Sequence, residues 1–218
     1  MRKPLAIDLF CGLGGWSEGL MAAGYHAVGF DIEQHAYGEL RYPGSLVIQD
    51  VLTLDGAQFS NAALIVASPP CQEFSYMAMP WSRAKAKAAA IRADETGQMR
   101  ADLTMLFDAC FRIQREACEA AGHHIPLVVE NVRGAQPWVG RAPYNFGSFY
   151  LWGDVPALMP HYRAYKSEGI KQGGRWWHDE GSISRTTSSK SPARKAASAL
   201  IAKIPFTLSR HIAAMYRP

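Results

Sequence analysis

The segment IVASPPCQEFS, residues 65–75, places a cysteine directly after two prolines at the end of an apolar run. Proline has no N–H to donate to a sheet ladder, so Pro69 and Pro70 should end a strand and turn Cys71 out at its rim. A lone cysteine beside an apolar strand is most often a small core residue. A thiol exposed at a rim can instead act as a nucleophile, and we interpret Cys71 in that way.

A second apolar run, PLVVENV at residues 126–132, ends in a carboxylate and an amide. Glu130 and Asn131 would be buried without partners if the strand continued into the core, so they are expected to emerge at a rim. A carboxyl group in such a place can donate a proton as a general acid. Nucleophile and acid would then meet at one edge of a sheet.

The segment DLFCGLGGWS follows the first apolar run, and its glycines let the backbone approach both a ligand and the next helix. These glycines are Gly12, Gly14 and Gly15. Asp31 ends the second run 19 residues after Gly12, where a carboxylate can accept hydrogen bonds from ribose, and Asp50 ends the third. Together they predict a nucleoside-cofactor site, with NAD and S-adenosylmethionine both open on these residues.

The elements that must position these groups alternate along the chain. Apolar runs bounded by turn residues predict strands at 5–10, 26–32, 45–50, 63–68 and 126–132. Helical patterns lie between them at 17–24, 34–41 and 101–122. This order predicts a doubly wound, mostly parallel α/β sheet with its site beyond the carboxyl ends of the strands. Residues 77–100 show no clean apolar stripe and are expected to form a mobile loop with helical turns.

Composition limits the class of protein. With 218 residues and 48% hydrophobic content, the chain can bury one sizeable core. No run approaches the roughly 18 apolar residues of a membrane span, so a cytoplasmic protein with no membrane partner is expected. The four cysteines form no CxxC pair and have no histidines at metal spacing, which predicts reduced thiols and no metal site.

Charge is distributed unevenly. Residues 1–160 carry 12 Lys and Arg against 16 Asp and Glu, whereas residues 161–218 carry 11 against 3. We therefore expect a catalytic domain at 1–160, a small basic recognition region at 161–200, and a closing helix at 201–218. The basic region is either a solvated tail or a surface for nucleic acid. Its candidate phosphate contacts are Arg163, Lys166, Lys171, Arg175, Arg185, Lys190, Arg194 and Lys195, and Trp176 and Trp177 either stack on bases or form a small separate core.

The segments DLFCGLGG, SPPCQEFS and VVENVRG, in that order, resemble the first, fourth and sixth motifs of the DNA (cytosine-5) methyltransferases. The resemblance covers about residues 5–160 and implies a Rossmann-like fold with S-adenosylmethionine as cofactor and DNA as partner. It implies cofactor contacts from Phe10, Gly12, Leu13, Gly14, Gly15, Asp31, Ile32, Asp50, Val51 and Pro69. Its implied catalytic set is Cys71, Glu130, Asn131 and Arg141.

The chemistry implied by this resemblance requires these residue types. Addition of the Cys71 thiolate to C6 of cytosine turns C5 into a carbon nucleophilic enough to take a methyl group. Glu130 would hold a proton toward N3, and the base would have to be flipped out of the duplex. The segment KIPFTLSRHIA lacks the Gly-Asn pair that closes the cofactor pocket in the family. The family's eighth motif has clustered arginine and glutamine, and this sequence offers only Arg141 in their place.

The small recognition region is typical of a phage or prophage enzyme. It is also compatible with substrates other than DNA. The same chemistry on RNA or on a free nucleotide is one alternative. A catalytically silent DNA-binding relative is another, against which the pair of Cys71 and Glu130 argues. An NAD oxidoreductase would use the glycine loop but has no need of a Pro-Pro-Cys turn.

Overall fold

The protein is built on one seven-stranded sheet, described here from a computed structural model that covers residues 2–75, 81–160, 188 and 191–218. Its strands are β1 (Leu5–Leu9), β2 (His26–Asp31), β5 (Ser45–Ile48), β6 (Ala62–Ala67), β7 (Leu127–Asn131), β8 (Tyr144–Phe146) and β9 (Phe149–Gly153). Most of the expected recognition region, with both of its tryptophans, lies outside the described residues. The division at 161–200 therefore stays a prediction.

The strand order is β5-β2-β1-β6-β7-β9-β8. The first five strands run parallel, β9 runs antiparallel to β7, and β8 runs antiparallel to β9. Because β1 pairs with β2 on one side and β6 on the other, the chain order reverses at β1. In such sheets the ligand crevice opens at this reversal, beyond the carboxyl ends of the strands. The Rossmann-like, mostly parallel α/β fold expected from the sequence is confirmed.

Helices cover both faces of the sheet. They are α1 (Gly15–Ala22), α2 (Trp81–Ala93), α3 (Gln98–Ala121), α4 (Gln136–Val139), α5 (Pro192–Ala202) and α6 (Phe206–Met215). The stripe Phe107, Cys110 and Ile113 buries α3 against one face. On the other face α1 packs against α6, with Leu20 and Leu208 fully buried. Strand residues alternate between these two cores, as a period of two requires.

The helix expected at 34–41 is wrong. These residues form a small hairpin of β3 (Ala36–Tyr37) and β4 (Leu40–Arg41), with Gly38 at a φ of 61° in the reversal between them. Tyr42, directly after the hairpin, is buried beneath α1 and anchors it. Tertiary contact has overridden the local helical pattern here.

The mobile loop expected at 77–100 is also wrong over most of its length. Residues Trp81–Ala93 form α2, and α3 begins at Gln98. Only Ala84 and Ile91 of α2 are buried, which explains why no apolar stripe marks it in the sequence. Alanine, lysine and arginine, all strong helix formers, favour the helix instead.

The C-terminal part holds two helices where one was expected. α5 begins inside the segment assigned to recognition, with the Ser191 hydroxyl accepting a hydrogen bond from the Arg194 N–H. α6 follows after a short link and packs along α1. Crossing a bilayer takes a combination of length and apolarity that none of the described helices has.

The contact between α1 and α6 depends on Gly19. A Cβ added there would lie less than 3.0 Å from Ser209 and from the Arg210 backbone nitrogen. We expect Gly19→Ala to lower the free energy of unfolding by about 1–3 kcal/mol through overpacking, although alanine is the better helix former. Urea denaturation measures this change, and Ala22→Ser on the exposed side of α1 should stay within about 0.5 kcal/mol. An unchanged Gly19→Ala midpoint would show that the two helices can move apart.

Candidate active site

A cavity of about 550 Å³ opens beyond the carboxyl ends of β1, β2, β6 and β7. It is lined by most of the residues that the sequence assigned to the site. These are Phe10, Gly12, Leu13, Gly15, Asp31, Ile32, Asp50, Val51, Pro69, Cys71 and Glu130. The fold therefore brings together the glycine loop, three strand-end carboxylates and the candidate nucleophile.

The glycine loop is held with its backbone facing the cavity. Phe10 has a φ of 55°, the one positive φ outside glycine among the described residues, and it turns the chain sharply after β1. A residue in this strained region points to a functional constraint. The Gly12 N–H donates to Asp31 Oδ2 at 2.9 Å, and a Cβ on Gly12 would meet no atom within 4 Å. A ligand can thus approach the loop closely at Gly12.

Gly14 serves packing rather than the cavity, which it does not line. A Cβ on Gly14 would lie less than 3.0 Å from side-chain atoms of Pro43 and Tyr42. The expected contact between Gly14 and the cofactor stays a prediction. A Cβ on Gly15 would lie less than 3.0 Å from the backbone of Ile204. The loop is therefore packed directly against the C-terminal segment.

Asp50 has one oxygen already engaged. Its Oδ1 accepts the Leu52 N–H at 2.9 Å and so caps the short 3₁₀ turn Val51–Thr53. This hydrogen bond fixes the carboxylate at the end of β5, where it lines the cavity together with Val51. The cap explains how an acid on a connecting turn is held in one orientation.

A buried acid beneath the loop was missed by sequence reasoning. Asp8 in β1 is fully buried and faces α1, where Ser17 Oγ donates to its Oδ2 at 2.6 Å. Tyr42 Oη lies 2.5 Å from the same Ser17 hydroxyl. Burial, with a smaller contribution from the charge of Asp31, raises the pKa of Asp8 from 3.8 to about 8. The signal was an aspartate at an inward position of an apolar strand.

The turn that carries Cys71 is held from two sides. Asn131 Nδ2 donates to the Pro69 carbonyl at 3.0 Å, and the N–H groups of Phe74 and Ser75 donate to the Cys71 carbonyl at 3.0 and 2.9 Å. Asn131 itself is 1% exposed and does not line the cavity. Its contact is with the turn, and its expected part in the catalytic set stays a prediction.

Among the four cysteines, Cys71 is the one placed for chemistry. It is partly exposed and lines the cavity. Burial raises the pKa of Cys11 and of Cys110 far above the ordinary thiol range, which suppresses their thiolates. Cys118 accepts the Ile125 N–H at 3.1 Å, away from the cavity. Among the described residues no group of three or more ligating side chains is placed to hold a metal ion.

Glu130 lines the cavity from β7, the strand next to the one that leads to Cys71. It is 8% exposed, so a proton on its carboxyl would be shielded from bulk water. Arg141, expected with the catalytic set, is exposed in the link between α4 and β8 and does not line the cavity. The structure does not place Arg141 in this cavity, and its catalytic role, taken from a single match to the family's eighth motif, stays a prediction.

Two parts of the cavity wall come from segments that the sequence did not assign to it. His35 and Tyr37 enter from the hairpin, with His35 Nε2 3.5 Å from Asp31 Oδ1. The C-terminal part of the wall consists of Lys195, Ser198, Ala199, Ala202, Lys203 and Ile204. The first four follow the i, i+3, i+4, i+7 spacing of a single helix face, which was the available signal. Lys195, expected to meet a phosphate, faces this cavity.

Fold and site define a Rossmann-like α/β protein with a thiol and a carboxyl in a cleft lined by a glycine loop and strand-end carboxylates. Residues 5–89 match the family described as C-5 cytosine-specific DNA methylase. The resemblance predicted from the motifs is confirmed over this part of the chain. Over 78 residues the chain is 37% identical to the type II methyltransferase M.DdeI of Desulfomicrobium norvegicum, covering 32% of this chain and 19% of that protein. It thus spans about a fifth of that curated relative.

Several solved structures are also similar. A protein described as a DNA modification methyltransferase encoded within an E. coli prophage is 25% identical, covers 61% of this chain and 33% of its own, and has a TM-score of 0.39. The S. pombe Dnmt2 methyltransferase is 19% identical over 63% and 37% of the two chains, with a TM-score of 0.41. The Entamoeba histolytica methyltransferase EhMeth is 13% identical over 81% and 62%, with a TM-score of 0.44.

The buried acid predicts a particular dependence of stability on pH. Folding raises the pKa of Asp8, so its carboxyl binds a proton more tightly in the folded protein than in the unfolded chain. This contribution to the free energy of unfolding is fully present below about pH 3.8 and is lost as the pH rises to about 8. Asp8→Asn should remove a slope of up to ~1.4 kcal/mol per pH unit in this window. Urea unfolding at pH 5 to 8.5 tests it, with Glu119→Gln on the exposed side of α3 as control. Parallel profiles for Asp8→Asn and the native protein would mean that Asp8 is ionised in the fold.

Proposed function

We propose that this chain transfers a methyl group from S-adenosylmethionine to C5 of cytosine in DNA. The observation that carries the proposal is the shared cavity: Cys71 and Glu130, from adjacent strands, line the same space as the glycine loop and Asp31. A thiol nucleophile, a shielded carboxyl and a nucleoside-type cleft are the parts that this reaction requires. The family match over residues 5–89 supports the same chemistry.

The residues present fit S-adenosylmethionine. The volume of about 550 Å³ lies within the roughly 300–1,000 Å³ of small-molecule sites. Asp31 can accept hydrogen bonds from ribose hydroxyls, while Phe10, Ile32 and Val51 offer apolar surface to adenine. Ile32 is 69% exposed, so an adenine ring would cover apolar area that now faces solvent. When bound, the cofactor supplies an electrophilic methyl group on a positively charged sulfur.

The proposed mechanism uses two side chains. The Cys71 thiolate adds to C6 of the cytosine while Glu130 donates a proton toward N3, so the charge that develops on the ring is neutralised. C5 becomes nucleophilic enough to accept a methyl group. A solvent water molecule then takes the C5 proton and the C6–S bond breaks, which restores the Cys71 thiolate and the 5,6 double bond. N3 returns its proton to Glu130. A reduced thiol is needed throughout, and a cytoplasmic setting maintains one.

DNA is the proposed partner because a basic helix lies beside the cysteine turn. α2 carries exposed Arg83, Lys85 and Arg92, and its Lys87 pairs with Glu73 two residues after Cys71. Such cations can neutralise backbone phosphates without reading sequence. A cytosine in a duplex hides C6 within the stack, so the base must be extruded to reach Cys71.

Turnover tests the proposed function directly. Duplex DNA, single-stranded DNA, RNA and dCMP would each be incubated separately with the protein and labelled S-adenosylmethionine. We expect methyl transfer to duplex DNA. Cys71→Ser should abolish transfer, since a hydroxyl is a far weaker nucleophile at neutral pH. Glu130→Gln keeps the shape but loses the proton and should slow transfer about 100-fold or more. Both variants should still bind the demethylated cofactor, and Cys118→Ser should keep full activity.

Transfer to RNA or dCMP but not to DNA would show that the proposed substrate is wrong and that the proposed reaction at cytosine C5 is right. A protein that binds duplex DNA and the cofactor yet transfers no methyl group to any of the four substrates would be a silent relative. Undiminished transfer by Cys71→Ser would contradict the mechanism itself.

A trapped adduct identifies the nucleophile. DNA containing 5-fluorocytosine should form a stable covalent complex with the protein and S-adenosylmethionine, because fluorine cannot leave as the C5 proton does. Peptide mapping by mass spectrometry should place the adduct on Cys71, which lines the cavity and is partly exposed, whereas Cys11 also lines the cavity but is buried. An adduct on Cys11, Cys110 or Cys118 would overturn the assignment.

A further inference from the structure

The two walls of the cavity differ in charge. Asp31, Glu33 and Asp50 line it on the side of β2 and β5, whereas the lining lysines, Lys195 and Lys203, come from the C-terminal segment. A ligand with hydroxyl donors at one end and an anion at the other would be oriented by this separation. The negative side would repel a carboxylate, and the positive side would attract it.

Lys203 stands directly beside the glycine loop. A Cβ built on Gly15 would lie 2.9 Å from Lys203 Cγ, and it would also meet the backbone of the next residue, Ile204. The loop thus runs from Gly12, whose N–H donates to Asp31, to Gly15, which contacts Lys203. A ligand bound along this loop would have its ribose near Asp31 and its other end near Lys203.

An ion pair holds Lys203 in this place. Its Nζ lies 2.6 Å from Glu18 Oε1 in the first turn of α1, and its side chain is 24% exposed. Exposed ion pairs contribute little to stability, so stability alone gives a weak reason for this one. Held in one direction, the ammonium group has less side-chain entropy to lose when an anion binds.

We propose that Lys203 is a cofactor-binding residue that recognises the α-carboxylate of the methionyl group of S-adenosylmethionine. This inference rests on the proposed function. It names a residue that would close the cofactor pocket on the side where the sequence lacks the family's Gly-Asn pair. Glu18, which does not line the cavity, holds Lys203 in place through their ion pair. Lys195, eight residues earlier on the lining face of α5, is the competing candidate.

The experiment compares ligands that differ in the carboxylate. Isothermal titration calorimetry would measure binding of S-adenosylhomocysteine and of 5′-methylthioadenosine, which keeps the adenosine thioether but lacks the amino acid. Lys203→Met should weaken S-adenosylhomocysteine about 10-fold or more, as expected for loss of a charged hydrogen bond, and should leave methylthioadenosine within about 2-fold. Glu18→Gln is the matched control, because it breaks the same ion pair but keeps the cation.

The outcomes separate a binding role from a structural one. If the ion pair only ties α5 to α1, Glu18→Gln and Lys203→Met should weaken both ligands alike, and the proposal is overturned. A selective loss in Lys195→Met instead of Lys203→Met also overturns it. Lys3 is an exposed lysine two residues before β1. Lys3→Met corrects for the change in net charge and should leave both affinities unchanged.

A measurement on the native protein keeps the proposal testable if Lys203→Met does not fold. Decarboxylated S-adenosylmethionine retains the sulfonium and the ammonium groups, and it should bind about 10-fold more weakly than S-adenosylmethionine. Equal affinities would overturn the proposal while leaving the proposed function intact. Failure of the native protein to bind S-adenosylmethionine or its product would instead remove the proposed function, and this inference with it.

Discussion

The close backbone approach around α1 is the constraint on which the site depends. Gly14 is covered by Pro43 and Tyr42, Gly15 by Ile204, and Gly19 by the start of α6. Any side chain at these positions would push away a segment that comes from a distant part of the sequence. Because the segments come this near, the hairpin before Tyr42 and the wall before Ile204 both reach the cavity.

The buried carboxyl of Asp8 extends this arrangement toward the hairpin. An ionised carboxylate at this depth would be strongly destabilising, so the group takes up a proton and accepts the Ser17 hydroxyl. The same hydroxyl meets Tyr42, whose own pKa burial raises, so that the phenol stays neutral. A polar chain from β1 through α1 thus fixes the residue that anchors the hairpin. His35 and Tyr37 reach the cavity beside Asp31 as a consequence.

Local patterns predicted the sheet and most of one side of the cavity, because they depend on short-range chemistry. Strand-end residues such as Asp31 and Cys71 follow apolar runs that a sequence displays directly. The hairpin with His35 could not be predicted in this way, since a buried contact of Tyr42 overrides its helical pattern. Lys203 was missed because its role depends on an approach to Gly15 from 188 residues away. Arg141 lies outside the cavity, and its expected role depended on one residue of a motif whose other members are missing from this sequence.

The cysteine turn joins two parts of the candidate site that lie on separate sequence motifs. Asn131 ties the turn to β7, and therefore to Glu130 one residue before it. The ion pair of Glu73 with Lys87 ties the same turn to α2, where Arg92 stacks 5.4 Å from the centre of the Trp138 ring. α2 buries only Ala84 and Ile91, and these two contacts add to that small apolar face. Through these contacts the turn that carries Cys71 is linked to β7, which carries Glu130, and to the basic helix α2.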